Sequence, residues 1–320
     1  MRVQGKRILV TGGSGFLGRH VVNQLRDQGA QVFAPRSREY NLTRIEDTMQ
    51  ALNAVRPDII IHAAANVGGI GYNRLFPAQI FRDNLLMSCN ILEACARVGI
   101  EKLALVGSAC AYPGEATGDL REEQLLSGPL HPSVACYGLS KRTLFMGSEA
   151  YRHQYGLNSI FLLITNLYGP WDKYDPNESH VVAALVRRFI EAKEADQSEV
   201  ICWGTGTPMR EFLYVQDCAQ AISVAVEKYD KPDPLNIGTG IGNSIAELAD
   251  TTAEVVGYMG EIRWDTTKPD GAPRKVLDVT RMKTELGWQP KTSLREGLAA
   301  TVTWYWKTIL GKEPLEQRIR

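Results

Sequence analysis

The first half of the chain alternates short apolar runs with longer stretches of helical spacing. The runs at 7–10, 31–34, 58–62, 102–107 and 159–164 are rich in aliphatic residues, and several are bounded by Gly, Pro or Asp. That pattern predicts buried strands. Between them, apolar positions recur with helical periodicity near 15–28, 44–55, 77–98 and 135–155, which predicts helices. Strand-helix alternation at this spacing predicts an α/β fold, a doubly wound parallel sheet of Rossmann type with helices on both faces.

After Gly169-Pro170 the rhythm changes. A polar loop over 171–179 leads into a predicted helix at about 180–195, a strand at 199–203 and a turn at Gly204-Thr205-Gly206-Thr207-Pro208. A run at 212–215 and a helix from about 217 are expected to return to the first unit. The tail holds an apolar run at 235–237, a helix near 244–257, a loop rich in Lys, Pro and Asp at 268–275, and a last helix near 293–309. The expected organisation is a nucleotide-binding domain over 1–166 and about 209–232. A smaller, discontinuous α/β substrate domain would take 167–208 and 233–320. Ligands of such folds sit at the carboxyl ends of the strands, here roofed by the second domain.

A chain of 320 residues can bury a core without disulfides or metal. Lys plus Arg and Asp plus Glu each number 36, so the formal net charge is zero and nucleic acid is not an expected partner. The six cysteines are Cys89, Cys95, Cys110, Cys136, Cys202 and Cys218; none forms a C-x-x-C pair or has a His at zinc-ligand spacing. Reduced thiols, no metal site, and packing roles for all but Cys110 are expected. The first apolar run, Ile8-Leu9-Val10, is too short for a signal peptide, and nowhere do about eighteen apolar residues run together. A cytoplasmic location with no membrane partner is expected.

Gly12, Gly15 and Gly18 space the loop Thr11-Gly12-Gly13-Ser14-Gly15-Phe16-Leu17-Gly18 as G-x-x-G-x-x-G between the first strand and the first helix. The first two glycines allow a tight turn and close approach of a pyrophosphate to the positive helix end; Gly18 lets helix and strand pack closely. The second strand ends in Ala34-Pro35-Arg36-Ser37-Arg38 rather than in an acid. Arg36 and Arg38 suit the 2′-phosphate of NADP, so NADPH is the expected cofactor. Tyr137 and Lys141, four residues apart in the predicted helix over 135–155, share one face. The ammonium is expected to lower the phenol's pKa, so that Tyr137 can pass a proton to or from a sugar oxygen. Ser108, at the end of the fourth strand, adds a hydroxyl placed to polarise a carbonyl.

With the glycine loop upstream, these residues make the chain resemble the short-chain dehydrogenase/reductase superfamily, in its extended, nucleotide-sugar-modifying branch. Asn166-Leu167-Tyr168-Gly169-Pro170 and Arg210-Glu211-Phe212-Leu213-Tyr214-Val215-Gln216-Asp217 match it too. Within that branch the chain is similar to the GDP-L-fucose synthase family at several further segments. These are Val67-Gly68-Gly69-Ile70, Ser108-Ala109-Cys110-Ala111-Tyr112-Pro113, Ser179-His180-Val181, Arg187-Arg188-Phe189 and the stretch from Trp203 to Phe212. The run from Lys268 through Arg274-Lys275 to Arg281 matches as well, and the resemblance spans about Arg7 to Trp306.

The resemblance implies a 3,5-epimerase/4-reductase acting on GDP-4-keto-6-deoxymannose. It makes Cys110 and His180 the base and acid that invert C3 and C5, with Ser108, Tyr137 and Lys141 serving the reduction. Gly12, Ser14, Gly15, Phe16, Leu17 and Gly18 would line the dinucleotide, with Arg36, Arg38, Tyr137 and Lys141. Arg188, Arg210 and Lys275 are candidates for the GDP pyrophosphate, Trp203 for guanine and Asn166 for the substrate. A homodimer through the helices near 77–98 and 135–155 is also implied. The chain departs from the family pattern at Ala109, where a second Ser or Thr is usual, and at Trp171-Asp172-Lys173-Tyr174, where His-Asp-Asn-Phe is typical. Both lie near the expected sugar, so a 3,6-dideoxy or heptose substrate, or epimerisation at C5 alone, is the alternative. A 4,6-dehydratase would need an Asp-Glu pair where Cys110-Ala111 stands. A 4-epimerase with permanently held NAD would need neither Cys110 with His180 nor the basic pair. An NADPH-sensing binding protein need not keep Ser108, Tyr137 and Lys141.

Overall fold

The computed structural model describes residues 1–312 apart from Thr117, Asn177 and Pro269. Asn177 in the predicted 171–179 loop, Pro269 in the 268–275 loop and the end of the domain expected to reach 320 therefore lie outside the described residues. Six parallel strands form the central sheet in the spatial order Gln31–Phe33, Arg7–Thr11, Ile59–His62, Lys102–Val106, Ser159–Ile164 and Leu235–Ile237. The middle strands are mostly aliphatic and buried on both faces, as a sheet covered by helices requires. Helices Phe16–Asp27 and Val215–Lys228 pack together on one side. Ile45–Val55, Pro77–Val98 and Ala135–Tyr155 pack in sequence on the other. The chain moves outward from Arg7–Thr11 to Gln31–Phe33 and then crosses back to Ile59–His62, which opens a crevice at the strands' carboxyl ends. There the Thr11 hydroxyl and His62 Nδ1 lie 2.8 Å apart, and burial pushes the imidazole down to about 3, so the ring is neutral.

A second sheet stands over that crevice. Met209–Tyr214 is its centre, flanked by Gly242–Ser244 and Arg274–Lys275 and paired with Asn166–Tyr168, while Glu199–Trp203 and Glu261–Asp265 form a separate parallel pair. Helices Val181–Glu194, Ile245–Val256 and Leu294–Trp304 close a second core around Val186, Phe189, Leu248 and Leu298. Among the described residues no helix is long and apolar enough to cross a membrane.

The chain does not partition where the sequence pattern suggests. Met209–Tyr214, expected with the nucleotide domain, pairs in the second sheet, and Leu235–Ile237, expected with the substrate domain, is the sixth strand of the first. Thr280–Leu286 also returns to the first unit, packing on Val215–Lys228 and Leu235–Ile237. The chain thus crosses between units at residues whose local pattern is the same on either side, and only pairing partners reveal the crossing.

The crossings are tied by Glu211. Its carboxylate, fully buried, accepts the backbone N–H groups of Thr239, Gly240 (2.9 Å) and Leu277 (2.7 Å). Replacing Glu211 by Ala should strand these donors without water and cost about 3 kcal/mol or more, because unpaired buried polar groups keep their full desolvation penalty. Urea denaturation of Glu211→Ala against wild type measures this; unchanged stability would contradict the assignment.

Candidate active site

Gly12 adopts φ +70°, and a Cβ there would lie 2.8 Å from Ala64 Cα at the exit of the neighbouring strand. A side chain at Gly18 would overlap the Gly12 carbonyl, so the helix Phe16–Asp27 begins hard against the turn. That helix is capped by Gly15 with no side-chain hydrogen bond and has no acid in its first turn. Its first N–H groups and positive end are thus left to an anion, as a dinucleotide pyrophosphate requires. Ser14 is exposed at the tip, Leu17 packs on the core, and Phe16 meets the His20 ring edge-on at 6.3 Å. Arg36 and Arg38 are exposed just beyond Gln31–Phe33, and no ion pair neutralises either among the described residues.

The proposed reducing residues converge. Ser108 ends the loop after Lys102–Val106 and caps the short turn Ala109–Ala111, its Oγ accepting the Cys110 N–H at 3.2 Å. The Ser108 hydroxyl also hydrogen-bonds Tyr137, which is 8% exposed on the helix Ala135–Tyr155. One turn along that helix, the buried Lys141 donates from Nζ to the Val106 carbonyl at 2.8 Å, and its Nζ is 5.7 Å from the Tyr137 ring centre. Burial pushes the Lys141 ammonium down to about 8. Contrary to the expectation from the Tyr-Lys spacing, the Tyr137 phenol is raised. Burial is the main cause, the Cys110 thiol adds to it, and the Ser108 hydrogen bond opposes it. Tyr137 therefore stays protonated over the working range, as a proton donor should.

Cys110 is half-buried between Tyr137 and Arg210 and interacts electrostatically with both. Arg210 and Lys275 sit side by side in register on adjacent parallel strands, and both act on the half-buried His131. Burial is the first cause of that imidazole's lowered pKa; the two cations add to it.

The other candidates stand outside this cluster. His180 is exposed at the start of Val181–Glu194, with Nδ1 3.8 Å from the buried Asp172; it is not a side-chain cap. Its loop is pinned to the nucleotide side by the Gly69 N–H, which donates to the Glu178 carbonyl at 3.0 Å. Arg188 donates to the Ile201 carbonyl at 2.7 Å, Trp203 is 66% exposed with Lys268 over its ring, and the Asn166 amide donates to the Glu211 carbonyl at 2.9 Å.

Comparison with known proteins gives the family. Residues 8–238 match the NAD dependent epimerase/dehydratase family. The chain is 44% identical to a GDP-L-fucose synthase of Sinorhizobium fredii, over 93% of this chain and 94% of that one. It is 40% identical to the GDP-L-fucose synthase of Escherichia coli, over 94% and 96% respectively. The chain belongs to the GDP-L-fucose synthase family. Among solved structures, a GDP-L-fucose synthetase from Naegleria fowleri bound to NADP superposes with a TM-score of 0.89 at 27% identity, covering 97% of this chain and 95% of that one.

Two structural residues of this family site are absent from the sequence-based set. Gly138 follows Tyr137, and any Cβ there would overlap the Cys110 carbonyl, so glycine lets the helix sit on the Ser108–Cys110 turn. Arg142 then locks the contact, donating to the carbonyls of Ala111 (2.7 Å) and Gly128 (2.9 Å). A small residue inside the Tyr-x-x-x-Lys spacing is the one signal that could have pointed there. Lys141 should keep its ammonium below about pH 8 and lose it above. In ¹³C-methylated protein one dimethyl-lysine resonance should titrate near that pH while exposed lysines titrate near the usual value, about 10.4. The absence of such a resonance, or its persistence in Lys141→Met, would contradict the assignment.

Proposed function

We propose that the chain converts GDP-4-keto-6-deoxy-D-mannose to GDP-L-fucose by epimerising C3 and C5 and then reducing C4 at the expense of NADPH. The observation that carries the reading is the placing of Cys110 in the same turn as Ser108, against Tyr137 and beside Arg210. A plain reductase needs the hydroxyl, phenol and ammonium; the thiol is the additional proton-transfer group.

The C4 ketone acidifies the protons on C3 and C5, because the carbanion formed there is delocalised as an enolate. Cys110 and His180 act from opposite faces, one removing a proton from carbon and the other returning one. Asp172 Oδ1 stands 3.8 Å from His180 Nδ1. Ser108 polarises the C4 carbonyl, and Tyr137, still protonated, donates its proton to the C4 oxygen. Lys141 holds the nicotinamide ribose. When bound, NADPH supplies the hydride for C4. The glycine loop and helix end at Gly15 hold its pyrophosphate, and Arg36 and Arg38 hold its 2′-phosphate. Arg188, Arg210 and Lys275 meet the pyrophosphate of GDP, Trp203 lies beside guanine, and Asn166 binds the substrate.

One observation supports an alternative sugar, a 3,6-dideoxy or heptose relative: Ala109 is buried and offers no hydroxyl beside Ser108. The proposed assembly is a cytoplasmic homodimer. Its support is the packed pair Pro77–Val98 and Ala135–Tyr155, which leaves Leu86, Leu139 and Met146 exposed, and six thiols that remain free.

Tyr137→Phe should lower reduction of GDP-4-keto-6-deoxymannose by about a hundredfold or more while leaving the Kd for NADPH unchanged, since only the proton donor is lost. Unchanged turnover would overturn its role. Cys110→Ala should yield a C4-reduced product with its C3 and C5 configurations retained; a doubly inverted product would remove Cys110 from the mechanism.

A further inference from the structure

Arg19 is built into the phosphate loop. It lies in the first turn of Phe16–Asp27 and is half-buried. Its Nε donates to the Gly15 carbonyl at 3.3 Å and its NH2 group to the Ser14 carbonyl at 2.9 Å. A guanidinium carries five N–H donors, so most of its donor edge is unspent. Its flat face is taken by the Trp171 ring, 4.2 Å from the guanidinium carbon. Face stacked and one edge anchored, the group has little rotational freedom left.

Two further observations turn this from packing into recognition. Arg36 is close enough to repel Arg19, and no carboxylate pairs with either among the described residues. An anion shared between two cations that no acid pairs would relieve their mutual repulsion. Trp171, for its part, occupies the left-handed region, which a bulky residue adopts only when its surroundings enforce it. The enforcement is visible: the Trp304 ring is 5.1 Å away, Tyr174 stacks on Trp304 at 5.8 Å, and the Pro170 carbonyl lies 3.0 Å from His20 Nε2, one residue past Arg19.

Resting on the NADPH reading above, we infer that Arg19, gripped by Trp171, is a third cation of the dinucleotide site and, with Arg36, binds the 2′-phosphate that distinguishes NADPH from NADH. The aromatic clamp is a positioning device: it fixes the guanidinium plane so that its free edge faces the anion. Trp171, one of the chain's departures from its family, thereby acts on the cofactor rather than on the sugar.

Isothermal titration of the full chain with NADPH and with NADH, without sugar substrate, tests this directly. Arg19→Met should weaken NADPH binding by about tenfold, the worth of one charge-assisted contact, and leave NADH within about twofold. Trp171→Leu should lose part of the same preference, and Trp171→Phe, which keeps a ring over Arg19, should restore it. An unchanged NADPH-to-NADH ratio in Arg19→Met would overturn the inference, as would an equal loss for both nucleotides. A wild-type protein that binds the two equally would instead overturn the cofactor reading, and the inference with it.

Discussion

A single carboxylate, Glu211, sits where the two units of the chain exchange strands. From the middle strand of the second sheet it reaches the backbone of Thr239 and Gly240, just past the last strand of the first sheet, and of Leu277 beside the strand Arg274–Lys275. Burial pushes its carboxyl above the usual range, and the N–H donors oppose that push. Side chains alternate along a strand, so a carboxylate turned into this junction turns its neighbour Arg210 the other way, toward Cys110 and His131. One residue pair thus sets both the docking of the units and the charge that faces the crevice.

The other wall of the crevice is set by close approach rather than by charge. Gly138 lets the helix that carries Tyr137 and Lys141 rest on the turn that carries Ser108 and Cys110, and Arg142 holds it there through loop carbonyls. The result is a half-buried hydroxyl beside a buried phenol and amine, and among the described residues no carboxylate pairs with the amine. Burial therefore works in opposite senses on its members, keeping the Tyr137 proton on and loosening that of Lys141. In the proposed reduction, Tyr137 would keep its proton until a developing alkoxide takes it.

Much of this was legible in the residues themselves. The five strands of the first half, the glycine loop and the Tyr137–Lys141 face depend on local spacing, and spacing survives in one dimension. The shape of the second unit does not. Asn166–Tyr168 and Gly242–Ser244 are three-residue strands with polar members, and they exist because Met209–Tyr214 offers them partners. The crossing of Leu235–Ile237 into the first sheet has the same origin. The Tyr137–Lys141 spacing reveals a neighbouring ammonium but not the depth of burial, which dominates and raises the phenol's pKa. Gly138, Arg142 and Arg19 were silent for a related reason: each acts on a main-chain carbonyl or a distant ring that only folding brings near.

One crevice is proposed both to invert and to reduce the sugar. The direct measurement is turnover of GDP-4-keto-6-deoxymannose with NADPH in D₂O, followed by NMR mapping of deuterium in the product. Deuterium at both C3 and C5 of a C4-reduced GDP-L-fucose is the expected result. A C4-reduced product with no deuterium at either carbon would contradict the claim, since Cys110 and His180 would then have exchanged no proton with the substrate.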